Sequence, residues 1–262
     1  MAQLSKNERQ QLLAEYVLNA GTARVEDILK LVDASPMTIY RDLSELEEDR
    51  VIVRSRGEVS AVATSLSETS MKYRLTQEED EKASLAAQFA NLITRGTSLL
   101  FDDSSTVYSI LKAYTHIGGL TIITNNWSII SLAGSVPDWE LITLGGRYDR
   151  HLDANYGPAG IDMLKRVRAD HAIISAAAVN DGVVYHPYDA VAEYKSLMIA
   201  AASQSHLAVT HSKFERTALH RVADTADFDA VVVDSGTSEE IIASLRERGA
   251  TVKVGPPVSA AG

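Results

Sequence analysis

The sequence predicts an α/β protein in two parts, an N-terminal winged helix-turn-helix and a larger α/β domain with a mainly parallel sheet. Three observations lead there. Residues 1–60 read as three short helices followed by a basic β-hairpin. From Thr97 onward, short apolar runs alternate with helical stretches, the rhythm of βαβ units. Between the two parts the apolar periodicity fades and Ser, Thr and Glu take over. The expected division is a helix-turn-helix domain at 1–60, a linker at 61–76, an α/β domain at 77–257 and a flexible tail at 258–262.

Ser5-Lys6-Asn7-Glu8 has the capping-box pattern, and Leu12, Leu13, Tyr16 and Val17 supply the apolar stripe of a first helix that ends at Gly21. Val25, Ile28, Leu29 and Val32 repeat at helical spacing and predict a second helix, with Asp33-Ala34 as the turn after it. In the third helix Ser35 suits the N-cap and Pro36 the first helical position. Ile39, Leu43 and Leu46 share one face. The opposite face is centred on Arg41, with Met37, Ser44 and Glu45 around it and Thr38 and Tyr40 at its margins.

A short helix divided in this way suits the major groove of DNA. Alone it reads equally as an amphipathic surface helix, and its neighbours tip the balance. Val51-Ile52-Val53 predicts a strand, Arg54-Ser55-Arg56-Gly57 a basic turn, and Val59 the start of a return strand. The candidate DNA contacts are Ser35, Met37, Thr38, Tyr40, Arg41 and Ser44 on the helix and Arg54 and Arg56 on the wing. Residues 1–60 hold eight Lys and Arg against eleven Asp and Glu, which counts against a general polyanion binder. The acids Glu45, Glu47, Glu48 and Asp49 cluster at the helix end, while Arg41, Arg54 and Arg56 stand where a duplex would lie. Specific binding that is modest and strongly salt-dependent, with little non-specific affinity, is expected.

With 262 residues, 45% hydrophobic and 23% charged, the chain has room for one small and one larger domain. A net charge of −10 argues against membrane surfaces, and no apolar run is long enough to span a bilayer. The absence of cysteine excludes disulfides and thiolate metal sites and fits a cytoplasmic setting. His186, His206, His211 and His220 show no i, i+4 pair, so no metal or other cofactor is expected.

In the second part Gln77-Glu78-Glu79-Asp80-Glu81 opens a helix, where the acids suit the helix dipole. Strands are expected at Ser98–Phe101, Thr121–Ile123, Leu141–Leu144, Ala172–Ile174, Leu207–Val209, Ala230–Val233 and Thr251–Val254. Helices are expected at Thr106–Tyr114, Trp127–Ala133, Ala190–Ala202 and Ser238–Arg248. Ligands of such sheets bind beyond the carboxyl ends of the strands. Those ends read Asp102-Asp103-Ser104-Ser105-Thr106, Thr124-Asn125-Asn126, Gly145-Gly146-Arg147, Ala177 to Gly182, and Thr210-His211-Ser212-Lys213. Each alone is an ordinary turn, but their recurrence at one sheet edge predicts a polar small-molecule site. Tyr148 and Arg150 begin a polar stretch, read as a mobile flap up to Gly157. Glu193 and Lys195 read first as an exposed pair on a helix, with pocket lining the second reading. Trp127 and Trp139 read as packing residues, with Trp127 placed to border a sugar.

In this order the motifs resemble the DeoR family of bacterial sugar-metabolism regulators. Thr38-Ile39-Tyr40-Arg41-Asp42-Leu43 is similar to that family's recognition-helix signature, with Tyr40 in place of its first Arg. Arg54-Ser55-Arg56-Gly57 sits at the wing, with Glu58 in place of a second Gly. Asp102 to Thr106 resembles an Asp-x-Gly-Thr-Thr loop with Ser104-Ser105 in place of Gly-Thr. Thr124-Asn125, Leu144-Gly145-Gly146, Glu193-x-Lys195 and Ser212-Lys213-Phe214 follow in turn. Thr210 replaces the acid of Asp-x-Ser-Lys, a loss that should favour an anionic ligand beside Lys213.

The resemblance implies a sensor domain related to pentose-phosphate isomerases, which binds a phosphorylated sugar or polyol and alters affinity for operator DNA. The candidate effector contacts are Asp102, Ser104, Ser105, Thr106, Thr124, Asn125, Gly145, Gly146, Lys195 and Lys213. A homo-oligomer, dimer or tetramer, is expected because one short helix reads only a half-site. The leading reading is a transcription regulator, more specifically a repressor. The alternative is an isomerase-like enzyme with an appended helix-turn-helix, using Asp102, Glu193 and Lys213 as acid, base and charge stabiliser. A sensor acting only through a protein partner is the third.

Overall fold

The computed structural model describes residues 4–62, 68–214 and 216–257, without the side chains of 18 and 19. The expected tail at 258–262 and part of the expected linker lie outside them. The N-terminal part contains α1 (Lys6–Ala20), β1 (Thr22–Arg24), α2 (Val25–Ile28), α3 (Pro36–Glu48), β2 (Ile52–Ser55) and β3 (Glu58–Ala61). Ser5 accepts the Glu8 amide while the Glu8 carboxylate accepts the Ser5 amide, closing the capping box that starts α1. Leu13, Val17, Ile28, Ile39, Leu43, Leu46, Ile52 and Val59 are buried together as the core of this part.

Two local expectations change. The second helix closes after one turn at Ile28 instead of running to Val32. Thr22–Arg24, too short to show periodicity, forms a strand antiparallel to β3, so the wing is a three-stranded sheet in the order β1-β3-β2. Ser55 pairs with Glu58, leaving Arg56 and Gly57 as a two-residue loop with φ of 50° and 84°. That is the type I′ hairpin turn, which needs positive φ at both loop positions. One glycine therefore suffices, and Glu58 is an ordinary strand residue.

The second part carries α4 (Met71–Leu75), α5 (Glu79–Ala86), β4 (Ser98–Phe101), α6 (Ser105–Ala113), β5 (Thr121–Thr124), α7 (Trp127–Gly134), β6 (Glu140–Thr143), β7 (Arg147–Asp149), β8 (Ala154–Tyr156) and α8 (Pro158–Leu164). It continues with β9 (Ala169–Ile174), β10 (Ala178–Asn180), β11 (Val183–His186), α9 (Asp189–Ala200), β12 (Ala202–Val209), β13 (His220–Asp224), β14 (Ala230–Val233), α10 (Glu239–Glu247) and β15 (Val252–Val254). All seven expected apolar runs enter one parallel sheet, ordered β15-β14-β12-β9-β4-β5-β6. Alternation along the strands sends Leu100, Ile123, Ile174 and Val231 into one buried layer and Leu99, Phe101, Ile122 and Val232 into the other. No described helix is long and apolar enough to cross a membrane.

The strand order places the site. The first strand of the sheet, β4, lies in its middle; β5 and β6 extend one way, while β9, β12, β14 and β15 extend the other. The order reverses between β4 and β9, and the connections leaving their carboxyl ends diverge to open a crevice there. Two further sheets sit near that edge, β10-β11-β13 and the hairpin β7-β8. Both fall in stretches expected as loops. The hairpin, expected as a flap, is fastened through Asn125, which exchanges bonds with Asn155, and through Asn126, which donates to the Asp153 carbonyl.

A buried ion pair locks α3 to α1. Asp42 of α3 is fully buried; Arg9 of α1 reaches it with Nε at 2.5 Å and Nη2 at 3.2 Å. Charge-assisted bonds of this kind contribute about 2 kcal/mol. Asp42→Ala should therefore lower stability by about 2 kcal/mol and loosen α3 against α1, read as an earlier denaturation midpoint and faster amide exchange in residues 36–48. Unchanged stability would contradict the clamp.

Candidate functional sites

At the carboxyl end of β4 the chain turns through Asp102 and Asp103, and Ser104 caps α6 by accepting the Val107 amide at 3.1 Å. The amides of Ser105 and Thr106, the first two of this nine-residue helix, have no partner within it and carry the positive end of its dipole. Across the crevice lie Ser175, Ala176 and Ala177 after β9, Lys195 from α9, and Lys213 after β12. These groups line one narrow cavity with Ser104, Ser105, Thr106, Asp103, Glu68, Arg74 and His186. The structure thus brings together Ser104, Ser105, Thr106, Lys195 and Lys213 from the expected effector set.

Asp102 stands just behind them, with one oxygen accepting the Ser104 amide and the other the Ser175 amide and the Lys195 ammonium at 2.5 Å. Lys195 also reaches Asp103 at 3.3 Å and is 3% exposed, so it is not the surface partner of Glu193, which faces solvent. Burial presses the Lys195 ammonium down, but the Asp102 and Asp103 carboxylates outweigh it and hold its pKa above the ordinary lysine value.

Thr124, Asn125, Gly145 and Gly146 are not brought into this cavity; they build the neighbouring hairpin. Thr124 accepts the Asn126 amide, and Asn125 donates to Asn155. Gly145 offers its carbonyl towards Tyr194, and Gly146 (φ 149°) lies where a Cβ would fall 2.5 Å from the Tyr156 carbonyl oxygen. Trp127 is half exposed against Tyr148, also away from the cavity.

Glu78 changes the reading of Lys213. Its residue adopts the left-handed conformation (φ 54°, ψ 41°), so the helix starts at Glu79, two residues into the expected run. The Glu78 carboxylate accepts from the Ser212 and Thr210 hydroxyls and lies 3.5 Å from the Lys213 ammonium. The acid missing at Thr210 is therefore supplied from elsewhere, and the expectation of an unopposed cation at Lys213 is corrected. Burial would raise the Glu78 carboxyl, yet Lys213 and the two hydroxyls bring it down to about 2. Burial and nearby Arg216 bring Lys213 down to about 8 despite Glu78.

Buried polar atoms without partners concentrate here: Asp103 Oδ2, Ser175 Oγ, and Nε and Nη2 of Arg74. The buried Tyr156 hydroxyl faces Asp103, and burial first and then that carboxylate raise its pKa well above the ordinary tyrosine value. Folded proteins satisfy such groups, so a patch of them calls for a ligand that brings donors and acceptors. Glu68, Arg74, Ser175 and His186 were not singled out as ligand groups from sequence. Arg74 lies in the expected linker, and His186 was weighed only as a metal ligand.

On α3, Met37 is 80% exposed and Tyr40 45%; Arg41 is exposed, with no hydrogen bond or ion pair among the described residues. Ser35 is used as the cap of α3 and bonds Thr38, and Ser44 donates to the Tyr40 carbonyl. Arg54 is held by Glu47 through its backbone amide, Nε and Nη2, so it is not the free wing cation expected. Arg56 projects at the wing tip, exposed. One test addresses the cavity floor. Lys195→Met should lower stability by roughly 3–5 kcal/mol, since two buried carboxylates lose their counter-ion; a denaturation midpoint equal to that of the unmodified chain would contradict that balance.

Two family models match: the DeoR-like helix-turn-helix domain over residues 9–65 and the DeoR C terminal sensor domain over residues 77–235. The glycerol-3-phosphate regulon repressor of Escherichia coli (strain K12) is 28% identical over 234 residues, covering 88% of this chain and 92% of that protein. The lactose phosphotransferase system repressor of Staphylococcus aureus (strain NCTC 8325 / PS 47) is 28% identical over 241 residues, covering 91% and 96%. Ribose 5-phosphate isomerase A from Neisseria gonorrhoeae is similar at 11% identity and a TM-score of 0.39 over 53% of this chain and 54% of that one, too distant to bear on chemistry. With a DNA-reading helix on one part, a polar cavity in the other and family models over both, the chain belongs to the DeoR family of helix-turn-helix transcriptional regulators.

Proposed function

We propose that the chain is a repressor of a carbohydrate or polyol catabolic operon, released from its operator by a phosphorylated sugar or polyol in the β4–β9 crevice. The observation that carries this is the set of groups around the narrow cavity and the wide cleft beside it, which share Glu68, Arg74, Ser105, Ala177 and Lys213. The free Ser105 and Thr106 amides and Lys213 suit a phosphate, while the unpartnered Asp103 and Ser175 oxygens suit ligand hydroxyls. Met37, Tyr40, Arg41 and Arg56 form the duplex-facing set. A homo-oligomer presents two such sets to two half-sites. A non-catalytic role is supported by the dispersal of the isomerase candidates: Glu193 faces solvent, Asp102 is committed to Lys195, and Lys213 is held by Glu78.

A thermal-shift screen with three- to six-carbon sugar and polyol phosphates is the test, because only a ligand that prefers the folded state raises the melting temperature. At least one should do so and should weaken retention of the chain's own upstream DNA. No response to any of them, or conversion of an aldose phosphate to a ketose phosphate, would overturn the reading. Arg41→Ala should weaken DNA binding about tenfold, the loss of one good contact, and leave the thermal response to the effector intact.

The effector response should also depend on pH. Below about 8 the unliganded Lys213 is charged and attracts the anion; as pH rises through about 8 it loses its proton and affinity falls. Calorimetric affinities measured from pH 7 to 9 check this, and a flat profile would place the phosphate elsewhere.

A further inference from the structure

We propose that Arg74, on the short helix joining the two domains, is itself an effector ligand, so that occupancy of the cavity is transmitted to the DNA-reading domain through α4. The proposal rests on the phosphorylated-effector reading above and adds the residue and element that couple ligand to DNA.

Arg74 is the one cavity cation not carried by the sensor sheet or its helices. Glu68 occupies Nη1 at 3.2 Å, but Nε and Nη2 are buried with no partner. They form the side edge of the guanidinium, a two-pronged donor matched to two oxygens of one phosphate. Ser175 Oγ, unpartnered on a residue 1% exposed, lines the same cavity.

Both ends of α4 are fastened. At its start the Ser70 amide and hydroxyl donate to Asp49, the residue that ends the recognition helix α3, and Tyr73 packs against the winged-helix core. At its end the Arg74 carbonyl accepts from Lys82, an ammonium buried at the foot of α5 that also donates to the Gln77 carbonyl. A phosphate drawn onto the side edge of Arg74 therefore acts on an element hydrogen-bonded directly to the end of the DNA-reading helix. Such a link shifts DNA affinity only if the anion binds two arrangements of α4 unequally. Glu68 supplies the difference: its carboxylate, shared between Arg74 and His186 at 2.9 Å, is the internal anion that a phosphate competes with.

The test uses the full-length chain with inorganic phosphate and glycerol 3-phosphate as probes, reading calorimetric affinity and retention on its upstream DNA. Arg74→Gln should bind both probes at least tenfold more weakly, and neither probe should then change its retention on DNA. Arg74→Lys, which keeps the charge but loses the fork, should fall between. In the unmodified chain, amide exchange of residues 71–76 should slow when either probe is added, a readout that survives even if both variants fail to fold. Equal affinities in all three proteins, or unchanged exchange in α4, overturn the proposal while leaving the effector reading in place. Binding of neither probe to the unmodified chain overturns this proposal, whereas the effector reading falls only if every compound of the thermal-shift screen fails as well.

Discussion

The burial of one ammonium beneath the crevice organises the second domain. Lys195 leaves α9, passes under the carboxyl ends of β4 and β9, and meets Asp102 at 2.5 Å and Asp103 at 3.3 Å. It also donates to the Ser175 carbonyl. A buried ion pair contributes little net stability compared with an apolar filling, but a lone partner left behind is costly, so the arrangement selects one geometry over its neighbours. Here that geometry fixes the two strand ends and the capping turn of α6 together. The same Asp102 carboxylate that neutralises Lys195 orients the Ser104 and Ser175 amides. The turns at Ser104 and Ser175 take their position from that contact.

Around this floor the remaining cations are each set against a carboxylate: Lys213 against Glu78, and Arg74 against Glu68. The cavity is close to charge balance without a guest. An entering anion competes with internal carboxylates held on the approach to α5 and beside α4, and not on the rigid sheet. Regulation requires a ligand whose binding differs between two arrangements, because equal binding shifts nothing. Carboxylates carried by segments outside the sheet, facing cations on the sheet edge and on α4, supply a physical origin for that difference.

Much of this was legible in the sequence. The seven strands announced themselves because a parallel sheet covered on both faces needs continuous β-branched and aliphatic runs, and Leu99 to Phe101 or Val231 to Val233 admit no other role. Ser35, Pro36 and the Ile39, Leu43, Leu46 stripe fixed the recognition helix for the same reason: local capping and a single period. The antiparallel additions were missed although Asp181-Gly182, both at positive φ, is a two-residue hairpin signal between Asn180 and Val183. Polar small residues there suit ligand chemistry and turn chemistry alike. The partners of the cations were not legible at all. Nothing local ties Glu78 to Lys213, Asp42 to Arg9 or Glu68 to His186; those pairs exist only once distant segments meet. Arg74, in a stretch with no apolar period, could gain meaning only from the crevice it enters.

The central claim is that the crevice between β4 and β9 holds the effector's phosphate. A crystal structure of the chain grown with the sugar phosphate giving the largest rise in melting temperature tests it most directly. The account predicts the phosphorus within bonding reach of the Ser105 and Thr106 amides and the Lys213 ammonium, with ligand hydroxyls on Asp103 and Ser175. Density for the same compound beside the β7-β8 hairpin, near Asn125 and Trp127, with the crevice unchanged, would contradict it.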